Sequence, residues 1–429
     1  MSDESRPDAT DGTPKRKGRA KKKHTIGRVI LASVVVLALV TGLGVIYLYR
    51  HLNGNLDVND ITAELGDDRP EEIYKGNGEP LDILVLGDDT RSGDNRIDNE
   101  SGGGSDTNIL VHLSADRTRA YAVSIPRDSI VDRPDCGEDD EIPGGTDVMW
   151  NAAYSVGGAA CTIRQLEAMT DVRVENYVVV DFNGFKDMVD AVGGVPVCVP
   201  QEINDPSKGI FVPAGKPALL KGDQALDYVR VRSNIGDESD LGRIKRQQNF
   251  IAALVNKVKS KGTLTRLDRV VRFLDAATDS LEVDEDLGSV TRIGKIAMQL
   301  SSIGLDKVQF VTVPNAYYTR DSGFFGRVYW TDEAKQLWRR IRLDKPLPAN
   351  LADGTITAAK PPGASETPDP TADPPESESP GSTPPESEEP LPETPSGSEE
   401  PTSTDTADPS PTEGPSLSAE EAEKAGLCA

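Results

Sequence analysis

Between Tyr228 and Phe250 the sequence YVRVRSNIGDESDLGRIKRQQNF gathers Arg230, Arg232, Arg243, Lys245 and Arg246 within a chain of formal net charge −24. Clustered guanidinium groups are a common means of holding phosphate, because each presents a planar fork of donors to two oxygens. Read as a strand, YVRVR turns Arg230 and Arg232 to one face about 7 Å apart, a spacing suited to two phosphates of one ligand. SNIGDESDLG then reads as a polar turn, and a helix begins near Ser239 or Asp240. Arg243 and Gln247 stand four residues apart on one face of its first turns. The free N–H groups at that helix start also favour anions. The same arginines are also consistent with solvated groups, or with partners of Asp237, Glu238 and Asp240.

A second set of residues lies where apolar runs end. LDILVLG, Leu81 to Gly87, leads into Asp88-Asp89-Thr90-Arg91, and Ser105-Asp106-Thr107 opens the next run after the Gly-rich loop SGDNRIDNESGGG. A third run closes in Ile125-Pro126-Arg127-Asp128. If the first two runs are antiparallel neighbours, Asp89 and Asp106 meet as hard oxygen ligands for Mg²⁺, or Mn²⁺. Aspartates are also common in turns and caps, so the pair alone does not establish a metal site.

These residues need a scaffold of strands and helices. Strand patterns cover 81–87, 108–115, 119–126, 176–182, 194–200, 228–232 and 308–314. Helical patterns cover 162–170, 184–192, 242–258, 264–278, 287–303 and 332–341. Their interleaving predicts a single α/β domain over 81–345, an α-β-α arrangement with a mixed central sheet covered by helices. No internal repeat and no Walker A sequence is present. His51 and His112 lie in no nucleophile motif, which argues against a Ser-His hydrolase.

The flanking segments indicate where the domain works. Residues 15–23, KRKGRAKKK, carry seven Lys/Arg and precede an uncharged run from Val29 to Tyr49. About 21 apolar residues suffice to cross a hydrocarbon core. The basic side predicts a cytoplasmic segment 1–28, a transmembrane helix 29–49, and everything beyond it outside the cytoplasm. Beside a membrane span the basic block is not read as a nucleic-acid arm. Residues 50–80 read as a stalk. The tail 346–429 is rich in Pro, Ser, Thr and Glu. From Pro361 onward it holds seventeen acids against one lysine, and so supplies −16 of the −24. Such a composition buries little apolar surface and predicts disorder. A Cys136–Cys161 bridge is consistent with an oxidising compartment, while Cys198 in VPVCVP reads as a small buried hydrophobe.

The ordered set GDDTR, SDT, SIPRD, NAAY with GG, VVVDFNGFKDMVDAVGGV, ALDYVRVR and DLGRIKRQQ resembles the LytR-CpsA-Psr family of cell-wall glycopolymer transferases, in its actinobacterial form, over about Leu81 to Val258. The resemblance implies a single-pass membrane protein that moves a glycan from a polyprenyl pyrophosphate carrier to peptidoglycan as a phosphodiester. It implies that Asp89 and Asp106 bind the metal. Arg91, Arg127, Arg230, Arg232 and Arg243 would contact the pyrophosphate together with Gln247. Asp240 is the acidic residue beside them, and Arg127, Arg243 and Asp240 are the implied catalytic residues. Trp150 to Tyr154 and Gly157-Gly158 match a more structural motif. One position departs from the family pattern: Gly104 stands where an arginine usually precedes Ser-Asp-Thr, with Arg96 in the same loop as a substitute. A non-catalytic glycan binder and a pyrophosphatase remain the alternatives.

Overall fold

A computed structural model describes residues 23–71, 73–74, 76–89, 104–260, 265–362 and 417–428. The chain divides into two compact units, Met1–Gly54 and Asn55–Ala429. The first contains nearly all of helix α1 (Lys23–Asn55). Its stretch Gly27–Asn55 has a mean hydropathy of 2.8 with none of its apolar window buried, so by length and composition it can cross a membrane.

The second unit is built on strands β1 (Asp57–Val58), β2 (Leu81–Asp88), β3 (Ser105–Leu113), β4 (Ala120–Ser124), β5 (Ile130–Arg133), β6 (Gly145–Met149), β7 (Asn176–Val180) and β8 (Val195–Val199). There follow β9 (Ile203–Asp205), β10 (Ile210–Val212), β11 (Gly215–Leu220), β12 (Leu281–Val283), β13 (Val308–Thr312), β14 (Asn315–Tyr317), β15 (Val328–Trp330) and β16 (Ile356–Thr357). Eight of them form one sheet in the order β1-β12-β7-β2-β3-β4-β13-β16. It is mixed: β2 runs antiparallel to β3 and parallel to β7, and β4 runs antiparallel to β3 and parallel to β13.

Alternation along the strands assigns the two faces. Leu84, Leu86, Leu110, Tyr121 and Val123 pack with helices α2 (Thr62–Leu65) and α3 (Ala152–Thr170) and with residues 332–342. Ile109, Ala120, Ala122 and Phe310 face the other layer, where helices α4 (Phe182–Ala191), α5 (Gly222–Arg230) and α6 (Asp240–Lys259) join the β8–β11 strands. The result is the expected α-β-α arrangement with a mixed sheet.

Several boundaries differ from expectation. Residues 228–232 are not a strand: Tyr228 to Arg230 end α5, whose Ala225, Leu226 and Tyr228 are buried. β8 lies outside the main sheet and pairs with β11. The stalk is partly folded, since β1 joins the sheet beside β12 and the Arg69 guanidinium donates to Glu167 at 2.6 Å. The domain continues past residue 345, because β16 extends the sheet through β13.

The tail returns as well. Residues 363–416 lie outside the described residues, but 417–428 form a short helix over Ala419–Lys424 opened by a Ser418–Glu421 capping box. Ala422, Ala425 and Leu427 bury themselves in the core, and Cys428 is disulfide-bonded to Cys198. Cys198 is thus a cross-link as well as a buried side chain. The Cys136–Cys161 bridge is present, with a Cα–Cα distance of 5.3 Å.

Candidate active site

The sheet brings three strand ends together. Asp88 of β2 pairs with Ser105 of β3, and the Asp89 amide donates to the Gly104 carbonyl at 3.0 Å. Because β4 is antiparallel to β3, its end reaches the same edge: the Ile125 amide donates to the Asn108 carbonyl at 2.9 Å, and Arg127 follows. α6 reaches this edge from the helical layer. The Gln248 amide donates to the Ser124 and Thr312 hydroxyls, each at 3.0 Å. Its start is where the sequence places it, with the Ser239 hydroxyl accepting from the Gly242 amide at 2.9 Å.

Three guanidinium groups converge on Asp106. Arg127 donates to Oδ1, while Arg232 and Arg243 donate to Oδ2 at 3.1 and 2.8 Å. Asp240 is the second anion, 2.7 Å from Arg243, 3.4 Å from Arg127 and 3.8 Å from Arg232. Asp128, 3.9 Å from Arg127, is itself paired with Arg327, so four cations meet three anions and leave one net positive charge. Arg243 is only 2% exposed, and its Nε donor has no acceptor among the described residues. Burial pushes the Asp106 carboxyl up, but the Arg243 and Arg127 charges outweigh it and hold the group well below the usual carboxylate range. Burial and the like charges of Arg243 and Arg127 lower the pKa of Arg232. A bound anion relieves that repulsion, so the cluster is preorganised for phosphate.

The other candidate residues divide. Asp128 accepts from Arg327. Arg230, in the last turn of α5, has its guanidinium 4.8 Å from the Phe182 ring centroid and does not share the Asp106 contacts of Arg232 and Arg243. The Gln247 amide donates to the Val229 carbonyl at 3.1 Å and ties α6 to α5. Arg91 and Arg96 lie outside the described residues. A Cβ at Gly104 would come 3.5 Å from Asp89 Oδ1 and 3.6 Å from the Ser155 hydroxyl, so the position has room for a side chain pointing at the site.

Among the described residues no three His, Cys, Asp or Glu side chains group as a metal cage. Asp89 and Asp106 do stand at adjacent strand ends, and one or two carboxylates are what Mg²⁺ commonly takes when substrate phosphates complete its shell. The Trp150 motif is structural here: its ring is fully buried, 5.7 Å from that of Trp330. Gly157 lies where a Cβ would be 2.1 Å from Cys161 Sγ.

Sequence reasoning missed the far wall of the site. A cleft of about 380 Å³ opens beside Arg232, between Asp128, the residues Glu238 to Leu241, and Tyr317, Gly326 and Val328 of the β14–β15 hairpin. The aromatic run at Tyr317-Tyr318 and Phe324-Phe325 was the available signal, but its proximity to Asp240 depends on the fold.

The LytR_cpsA_psr family model matches residues 48–342. Cell wall biosynthesis protein LcpA of Corynebacterium glutamicum is 32% identical over 323 residues, 68% of this chain and 60% of LcpA. The polyisoprenyl-teichoic acid–peptidoglycan teichoic acid transferase TagV of Bacillus subtilis is 28% identical, with 61% of this chain and 64% of TagV covered. The chain thus spans less than two thirds of the length of both. The transferase TagU of Enterococcus faecalis is 30% identical, over 63% of this chain and 83% of TagU. Among solved structures, protein gbs0355 of Streptococcus agalactiae has a TM-score of 0.50 at 26% identity, covering 63% of this chain and 90% of that one. The LytR-Csp2A-Psr enzyme of Actinomyces oris has a TM-score of 0.52 at 17% identity, covering 67% and 96%, and shares the fold. With the family model spanning most of the chain, this protein belongs to the LytR-CpsA-Psr family.

Proposed function

We propose that the protein is a membrane-anchored phosphotransferase that moves a glycopolymer from a polyprenyl pyrophosphate carrier onto peptidoglycan and releases polyprenyl phosphate. The observation that carries this reading is the convergence of Arg127, Arg232 and Arg243 on Asp106 and Asp240. Transferring a phosphoryl group requires a protein chiefly to position the reactants and neutralise charge, which such a cluster does. The names of TagU and TagV, transferases from a polyisoprenyl carrier to peptidoglycan, support the same reaction. α1 would anchor the chain with its N-terminus in the cytoplasm, following the Lys/Arg bias.

In this reading the arginines hold the pyrophosphate, and Arg91 would add a further contact. An acceptor hydroxyl of peptidoglycan, the MurNAc 6-OH by family analogy, attacks the glycan-linked phosphorus. The new O–P bond forms as the bond to polyprenyl phosphate breaks, and the hydroxyl proton is lost. Asp240 lies beside the cluster as the candidate to receive that proton. Asp89 and Asp106 would hold Mg²⁺, or Mn²⁺, which when bound supplies further neutralisation of phosphate charge.

The test uses the full chain in nanodiscs with a short polyprenyl-pyrophosphate glycan, Mg²⁺ and peptidoglycan oligomers, with mass spectrometry for a phosphodiester-linked adduct. An adduct that is lost with EDTA, and reduced on the order of 100-fold or more in Arg243→Ala, supports the transferase. Free glycan phosphate without an adduct indicates a pyrophosphatase, and binding without turnover indicates a binder.

A further inference from the structure

The cleft beside Arg232 differs in charge from the arginine cluster it adjoins. Of the three clustered arginines only Arg232 lines it, together with three acidic residues: Glu238, Asp128, which accepts from Arg327, and Asp240, whose two carboxylate oxygens are buried beside Arg243. A phosphate chain in the cleft would face the Glu238 and Asp128 carboxylates. A neutral polyol would instead donate its hydroxyl hydrogens to them. The volume lies within the range of ordinary ligand sites and has room for a short stretch of glycan.

The hairpin places one aromatic ring toward this space. Tyr317 pairs directly with Val328, so the two share a face, and both line the cleft. Ala316 and Tyr329 form the next pair and point the other way, where Tyr329 packs edge-on against Tyr318 at 5.0 Å. Tyr317 remains 48% exposed. The hairpin beneath it is fixed: the Trp330 indole donates to the Ser129 hydroxyl at 3.1 Å, and the Val328 amide donates to the Asp128 carbonyl at 3.2 Å. Burial raises the Tyr317 phenol above its ordinary pKa against a hydrogen bond with Ser239, and the Asp237, Asp240 and Asp128 charges act with burial. The phenol therefore stays neutral, a fixed apolar face with a polar tip. Beyond it, a Cβ at Gly326 would meet nothing within 4 Å, so that wall is open.

The geometry points to this cleft as the subsite for the acceptor: a neutral stretch of peptidoglycan glycan lies between α6 and the β14–β15 hairpin with a pyranose ring against Tyr317. The assignment rests on the transferase reading. Arg232 and Asp240 belong to both cleft and cluster, so a glycan hydroxyl at that end meets a phosphorus held by the arginines. The donor's phosphates belong on Arg127 and Arg243, which do not line the cleft. Ring contact comes from Tyr317, and hydroxyl recognition from Glu238.

The test is calorimetric titration of the full chain in nanodiscs with undecorated peptidoglycan glycan oligomers, without donor, and separately with inorganic pyrophosphate. Tyr317→Ala should weaken oligomer binding by about tenfold or more, the loss expected of a ring contact, and leave pyrophosphate binding unchanged. Tyr317→Phe keeps the ring, should bind nearly as wild type, and controls for folding. Unchanged oligomer binding in Tyr317→Ala, an equal loss of pyrophosphate binding, or no saturable oligomer binding to the wild type overturns the assignment. A third titration uses the lipid-linked donor glycan. Selective weakening of that ligand in Tyr317→Ala places the donor's sugar in the cleft and overturns it too. Because the oligomer readout needs no turnover, failure of the transferase assay leaves it intact, and its own failure leaves the arginine cluster's role untouched.

Discussion

Removing the Cys198–Cys428 bridge tests how the end of the chain supports the site. The bridge joins residues 230 apart in sequence, against 25 for Cys136–Cys161. Loop-closure entropy in the unfolded chain gives upper figures of about 5.5 and about 3.5 kcal/mol for the two, a difference of about 2 kcal/mol. The two loops do not overlap, so their contributions should add. The bridge also anchors contacts to the arginine loop. The Asp237 amide donates to the Lys424 carbonyl at 2.8 Å, and the fully buried Arg246 donates to the Ala425 carbonyl at 2.8 Å and to the Val231 carbonyl. Gly236 approaches so closely that a Cβ there would lie 2.2 Å from the Lys424 oxygen. Val231 immediately precedes Arg232, so freeing 417–428 removes the support behind that guanidinium. The assay is urea unfolding of Cys198→Ala/Cys428→Ala and of Cys136→Ala/Cys161→Ala by tryptophan fluorescence without reductant, with pyrophosphate affinity measured in parallel. The first variant should lose more stability and bind pyrophosphate more weakly. If it unfolds with the wild type, or loses less than the second, the reasoning fails.

Two further predictions follow from buried charge and open space. His112 lies between Asp82 and Asp344, at 2.9 and 3.2 Å. Burial pulls its pKa down, but the two carboxylates raise it from 6.5 to about 9. Its contribution to stability is therefore fully present below pH 6.5 and lost as pH rises through about 9, which unfolding curves across that window should show. His112→Asn should abolish that dependence and cost about 3 kcal/mol by stranding the buried Asp82 carboxylate, while Asp344 keeps its pair with Arg119. Gly104→Arg should be accommodated, since the nearest atom to its Cβ is 3.5 Å away. It should raise pyrophosphate affinity while shifting stability by only about 0.5 kcal/mol. Unchanged affinity would show that the missing guanidinium is not limiting.

Much of the site was legible because its signals are local. Apolar runs ending in GDD and SIPRD marked strand ends, and Ser239 before a helical pattern marked the start of α6. The reading of YVRVR failed because Val-Arg alternation over five residues straddles the end of a helix. The helical spacing of Ala225, Leu226 and Val229 upstream was the better guide. The tail was misread in part because composition measures average burial. Three apolar side chains and one cysteine suffice to dock 417–428 where a complementary surface exists.

The sequence by itself determined the apolar helix, the α/β alternation, the family motifs and the residue types available to bind phosphate. All of these follow from patterns within a few residues or from ordered motifs. The tertiary structure alone decided which charges meet. Asp106 gathers arginines from after β4, from after α5 and from α6 because strand pairing and two-sided packing bring those chain positions to one sheet edge. The same packing turned Arg230 onto Phe182, set Tyr317 opposite Asp240 and bound Cys428 to Cys198. Those outcomes sum many weak, long-range contacts over the whole sheet, and no single stretch of sequence carries them.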